Sequence, residues 1–221
     1  MTRLLRVVAL TVALLFAAPT AYADYGSGVA GGPVGTPVMS TAPYTATADV
    51  LLVGDSISVR GYKDLAYYLP GKRLAVNAWS GRNTKDSVDS LFKMVADGYR
   101  LPPLLVMAVG SNDVMSPFAM EAQVKRLLDW VPATTKVFWV DVQVARPAYA
   151  VADQRNSMIA NRAVWQGCTG SCTVISWASF FAAKPARIGW YLDAGGVHPR
   201  IGVGTKAWGC LIATAVQGAL R

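Results

Sequence analysis

Ser56, Gly81, Asn112 and His198 are residues whose types and positions would together suit acyl transfer. Ser56 ends the turn Gly54-Asp55-Ser56, directly after an apolar run. A serine hydroxyl becomes a useful nucleophile only when a base takes its proton. His198 is the single histidine of the chain, so it is the only imidazole available. The tetrahedral oxyanion formed on attack needs fixed donors. The backbone N–H groups of Ser56 and Gly81 and the side-chain amide of Asn112 are the candidates. A glycine at 81 lets backbone come close to a substrate. Asp193, five residues before His198, is the acid nearest to it in sequence and the candidate for orienting the imidazole. Gly-Asp-Ser is also ordinary turn composition, so the tripeptide acquires meaning only with the other residues.

The elements that must position these residues follow from the apolar pattern. Strands are expected at 49–53, 74–78, 104–109, 136–142 and 173–177. Helices are expected near 63–69, at 84–97 behind an Asn or Thr cap, at 117–131, at 153–165 capped by Asp153, and at 204–220. Near-continuous apolar strands alternating with amphipathic helices imply a parallel sheet covered on both faces. Parallel strands point one way, so Ser56, Gly81 and Asn112, each after a strand, would share one rim. Open α/β sheets place their ligand crevices there. A loop carrying residues 190–199 would bring Asp193 and His198 to the same rim.

Residues 1–23 carry Arg3 and Arg6, an apolar core and Ala21-Tyr22-Ala23, the order of a secretory signal peptide. The apolar run is short for a membrane span. Residues 24–47, rich in Gly, Ala, Pro, Ser and Thr, read as a flexible leader or linker, and 48–221 as one domain. Removal of two arginines lowers the net charge from +8 to +6. That balance suits an exported protein near an anionic cell envelope, or simply aids solubility. Lysines and arginines are scattered, which disfavours nucleic acid. Cys168, Cys172 and Cys210 allow three disulfide pairings. The local bridge 168–172 across a turn-forming spacer is the first choice, with Cys210 a buried thiol on the last helix. One histidine and no zinc-type cysteine spacing disfavour a metal site. Trp79, Trp190 and Trp208 are candidates for a sugar or acyl cleft, with core packing as their default.

Gly54-Asp55-Ser56, Gly81, Gly110-Ser111-Asn112-Asp113 and His198-Pro199 resemble, in order, the four blocks of the SGNH (GDSL-type) hydrolases. The resemblance implies a three-layer α/β/α sandwich with a flavodoxin-like parallel sheet. It also implies cofactor-free serine ester hydrolysis, with Ser56, Gly81 and Asn112 forming the oxyanion hole. One position departs from the pattern. The family places Asp three residues before its histidine, and here that residue is Gly195. Either a lengthened turn returns Asp193 to His198, or the site works as a Ser-His pair.

These readings lead to a secreted serine esterase acting on carboxylic esters. Short-chain acyl esters and O-acetyl groups of envelope or other polysaccharides are its candidate substrates, and an acyltransferase would differ only in the acceptor. The rival is a non-catalytic, secreted carbohydrate- or envelope-binding protein on the same fold. No Walker-type or G-x-G-x-x-G loop supports nucleotide binding.

Overall fold

The structure, a computed structural model, describes residues 34–39, 48–170 and 172–220. The expected signal peptide, 1–23, lies outside the described residues. Among the described residues six strands form one sheet: β1 (Val34–Met39), β2 (Val50–Gly54), β3 (Leu74–Ser80), β4 (Leu104–Ala108), β5 (Lys136–Val140) and β6 (Cys172–Ile175). Their spatial order is β1-β3-β2-β4-β5-β6. β2 to β6 are mutually parallel, and β1 is an antiparallel edge beside β3. This edge strand falls within the 24–47 stretch expected as a linker. Its sequence, Val-Gly-Thr-Pro-Val-Met, has no period-2 apolar signal, and its proline suits an edge.

The described residues also form seven α-helices: α1 (Ser56–Tyr67), α2 (Thr84–Ala96), α3 (Met120–Trp130), α4 (Ala150–Gly167), α5 (Trp177–Ala182), α6 (Ile188–Tyr191) and α7 (Val203–Ala219). Strand alternation divides the core into two layers. Leu51, Val53, Leu105, Met107, Val137 and Trp139 face α2, α3 and α4, where Val88, Leu91, Val124 and Val164 meet them. Val50, Leu52, Val106, Phe138 and Val140 face the other way, toward Leu65, Phe181, Trp208 and Ile212 of α1, α5 and α7. Every residue of β2 and β4 is buried, as a sheet covered on both faces requires.

The packing of α7 on α1 determines where Ser56 stands. A Cβ on Gly61 would lie 2.7 Å from the Trp208 ring, and one on Gly209 would lie 2.8 Å from the Leu65 nitrogen. Only bare backbone at both points lets the helices approach this closely, with Trp208 fully buried between them. Losing a buried aromatic of this size costs ~3–5 kcal/mol.

Several expectations are corrected. α1 starts at Ser56 rather than near 63, because Asp55 caps it by accepting from the Ile57 N–H at 2.9 Å. α4 starts at Ala150, so Asp153 lies inside its first turn. Its carboxylate accepts from Arg146 at the backbone nitrogen (2.9 Å) and twice at the guanidinium (2.9 and 2.6 Å). Short helices α5 and α6 lie between β6 and the expected loop 190–199, and α6 reaches into it at Trp190 and Tyr191. Cys168 and Cys172 form the disulfide, as preferred, but Cys210 is exposed on the outer face of α7. Trp79 and Trp208 are buried, whereas Trp190 is exposed. Among the described residues no helix is long and apolar enough to cross a membrane.

Candidate active site

In the order β3-β2-β4-β5, the connection after β2 runs to β3 on one side and the connection after β4 runs to β5 on the other, so a crevice opens beyond the carboxyl ends of β2 and β4. Ser56 follows β2, Ser111 and Asn112 follow β4, and Gly81 follows β3 on the adjoining side. Together with His198, Ser56, Gly81 and Asn112 line one open cleft of ≈ 570 Å³, completed by Val59, Arg60 and Ser80.

Ser56 is the first residue of α1, at the helix end whose free N–H groups favour negative charge. The Asp55 carboxyl beside it is buried and also accepts from the Ser111 hydroxyl, tying the β2 loop to the β4 loop. Desolvation pushes this carboxyl up to about 6, against the opposing hydrogen bonds from Ser111 and Ile57. The β4 loop is tied to the β3 loop twice more. Asp113 accepts from the Thr84 N–H and hydroxyl, both at 2.9 Å, at the start of α2. Asn112 donates one amide hydrogen to the Arg82 carbonyl at 2.9 Å. That bond leaves the second hydrogen of the amide for another acceptor. Arg82 is itself buried: its guanidinium lies 3.7 Å over the Trp79 ring and donates to Asn77 O and Oδ1 at 2.8 Å. Gly81 has φ +81°, a left-handed conformation that side chains resist.

His198 Nε2 lies 2.8 Å from Ser56 Oγ, across 142 residues of sequence. A short reversal returns Asp193 to it. The Asp193 N–H donates to the His198 carbonyl at 2.9 Å, and the Gly196 N–H donates to the Asp193 carbonyl at 2.9 Å. The Gly195 N–H donates to Asp193 Oδ1 at 3.1 Å. Gly196 has φ +69°, and a Cβ there would lie 2.1 Å from the Ala145 carbonyl oxygen. The two glycines thus lengthen the turn while keeping its ends paired. Asp193 Oδ2 stands 3.7 Å from His198 Nδ1, an ion contact longer than a hydrogen bond. The same oxygen accepts from Arg60 at 2.9 Å, and Arg60 also donates to the Pro199 carbonyl at 3.4 Å.

Partial burial lowers the His198 pKa below its usual value. The Arg60 charge adds to this, and Asp193 opposes it. The imidazole is therefore neutral at neutral pH, the form that accepts a proton. Desolvation raises the Asp193 carboxyl, but Arg60 and His198 outweigh it and hold it below the ordinary range. Chemically, the arrangement offers a hydroxyl against an unprotonated imidazole, a carboxylate behind the imidazole, and an amide and a positive-φ glycine at the facing rim.

All five sequence-selected residues meet in one region, with Asp193 in a looser contact than a bonded triad. Arg60 was not anticipated, although its place four residues after Ser56 on one helix face was the available signal. Among the described residues no cluster of His, Cys, Asp and Glu could hold a metal.

No protein-family model matches the sequence, and neither does any curated protein. Solved structures do. The C-terminal catalytic domain of Streptococcus pneumoniae peptidoglycan O-acetyltransferase A superposes with TM-score 0.62 at 21% identity, over 79% of this chain and 95% of that one. A lipase/acylhydrolase from Enterococcus faecalis gives 0.62 at 17%, over 78% and 97%. An acetyl-xylooligosaccharide esterase from Geobacillus stearothermophilus gives 0.58 at 13%, over 79% and 96%. With its parallel strand order and helices on both faces, the chain has the fold of the SGNH (GDSL-type) hydrolases.

Proposed function

We propose that this protein is a secreted serine ester hydrolase. The observation that carries the reading is the 2.8 Å approach of His198 Nε2 to Ser56 Oγ in an open cleft. Ser56 Oγ attacks the ester carbonyl, and its proton passes to His198. The Ser56 and Gly81 N–H groups and the free amide hydrogen of Asn112 receive the oxyanion. The carbonyl–oxygen bond to the alcohol breaks as His198 returns the proton to the leaving alkoxide. Water, deprotonated by His198, then cleaves the acyl-serine and releases the acid. Asp193 stabilises the imidazolium in each half-reaction from 3.7 Å. No cofactor takes part. Acetyl esters, including O-acetyl groups on envelope or other polysaccharides, are the favoured substrate class, and the open cleft suits a polymer. Secretion is supported by the leader composition and the Cys168–Cys172 disulfide.

A second reading, transfer of the acyl group to a sugar hydroxyl, is favoured by the likeness to an O-acetyltransferase domain. It uses the same acyl-serine.

The test is hydrolysis of p-nitrophenyl acetate by the wild type, Ser56→Ala and His198→Ala. Wild-type turnover that falls about 10⁴-fold or more in each variant is expected. Equal turnover by all three proteins would overturn the reading, as would an inert wild type.

A further inference from the structure

We propose that Arg60 is a substrate-docking residue that selects esters whose alcohol portion carries a carboxylate. The inference deepens the ester-hydrolase reading and rests on it. Arg60 lines the cleft one helical turn beyond Ser56. Both of its hydrogen bonds, to Asp193 Oδ2 at 2.9 Å and the Pro199 carbonyl at 3.4 Å, leave from a single terminal nitrogen. Among the described residues, Nε and the other terminal nitrogen have no hydrogen-bond partner. Those two groups form the side-on edge of the guanidinium, whose parallel N–H bonds match a carboxylate in bidentate fashion. A ligand carboxylate can therefore add to Arg60 without displacing Asp193.

The position of Arg60 says which part of the ester it would meet. Its partner Asp193 contacts Nδ1 of His198, so the guanidinium stands on the histidine side of the nucleophile. His198 delivers its proton to the departing alcohol, and so the alcohol portion lies on that side. Two of the three oxyanion donors, Gly81 and Asn112, belong to the loops after β3 and β4, away from the segment that carries His198. Charge along the chain agrees with this placement. Residues 154–221 contain seven lysines and arginines and one acid, Asp193, which Arg60 and His198 already share. Within that stretch, the segment 184–206 around His198 has four cations, Lys184, Arg187, Arg200 and Lys206, and Asp193 as its one acid, a balance that favours an anionic alcohol.

The test uses two esters that differ in one charge, 4-acetoxybenzoate and its methyl ester. Each kcat/KM is divided by that ester's own alkaline hydrolysis rate. Wild type is expected to favour the anionic ester at least tenfold, mainly through KM, and less so in 0.5 M salt, where screening is stronger. Arg60→Gln should bring the ratio close to one, and Arg60→Lys should restore part of it. A wild-type ratio near one would overturn the proposal. So would an Arg60→Gln variant that slows both esters equally, since a merely structural role through Asp193 predicts that result. Binding of 4-acetoxybenzoate to Ser56→Ala, measured by calorimetry, needs no turnover. It should weaken at least tenfold when Arg60→Gln is added, and equal affinity would overturn the docking role. An inert wild type whose binding still depends on Arg60 would remove the hydrolase reading and retain the docking residue.

Discussion

Ser56 and His198 meet at 2.8 Å from supports of unequal stiffness. On the serine side, the β2, β3 and β4 loops are laced together by buried and half-buried side chains: Asp55 to Ser111, Asp113 to Thr84, and Asn112 to the Arg82 carbonyl. Behind them lies a sheet buried on both faces. On the histidine side, a six-residue reversal containing two glycines holds Asp193 and His198 at half-exposed positions. One oxygen of Asp193 is divided between Arg60 and the imidazole. In the proposed reaction the nucleophile and the oxyanion donors are thus preset, whereas orientation of the base depends on a contact that can tighten or lengthen. Preset donors stabilise charge without reorganising during the reaction, so most of the rate should reside in the stiff half.

Asp193→Asn tests that division most directly. The amide keeps the oxygen that receives the Gly195 N–H, so the reversal should persist. A tightly bonded carboxylate behind a catalytic histidine supplies about 10⁴-fold in kcat. The 3.7 Å contact, shared with Arg60, predicts a smaller loss of about 10- to 100-fold. Asp193 raises the His198 pKa, so its removal should also move the acid limb of kcat/KM to lower pH. Both are read from one pH–rate profile on p-nitrophenyl acetate. An unchanged kcat would mean that Ser56 and His198 work as a pair.

The stiff half was the more legible in the sequence, for a physical reason. Ser56, Gly81 and Asn112 each follow an apolar strand, and parallel strands must end on one rim. His198 was legible because no other histidine competes with it. What escaped was fixed by contacts between distant parts of the chain. Arg60 binds Asp193 across 133 residues, Ser111 binds Asp55 across 56, and Thr84 binds Asp113 across 29. The start of α1 was missed because its buried face uses Ser58 and Gly61 beside Ile57 and Leu65, which leaves little apolar period. Strand β1 was missed because Gly35 and Pro37 interrupt it and leave no continuous apolar run.

Asp55→Asn probes the stiff half through pH. The folded carboxyl sits at about 6, above its ordinary 3.8, because it is buried. A raised pKa means that the native state binds more protons than the unfolded chain between those values. Its contribution to stability is therefore complete below the unfolded pKa and is lost as pH rises through about 6. Asp141, also raised to about 6 by burial, acts with the same sign. Asparagine is a competent helix cap and cannot titrate. The stability lost by the wild type between pH 5 and 7.5 should shrink in the variant by about 1–1.5 kcal/mol. Denaturant melts at the two pH values measure this, and an undiminished loss would show that Asp55 titrates normally. Activity should change by less than about threefold, since the frame keeps its shape.

The smallest effect on catalysis is expected at the opposite end of the sheet. Cys172 opens β6 and Cys168 closes the helix before it, so their bridge lies at the amino ends of the strands, away from the cleft. It closes a loop of only a few residues, for which chain entropy assigns at most ~2 kcal/mol. Replacing both cysteines with alanine should lower the melting temperature by a few degrees and leave kcat/KM on p-nitrophenyl acetate unchanged. Should activity fall with the bridge, the division into a stiff and an adjustable half would be misplaced. β6 would then transmit its position to the His198 wall through Trp177 and Phe181, which α5 buries beside Tyr191 and Leu192.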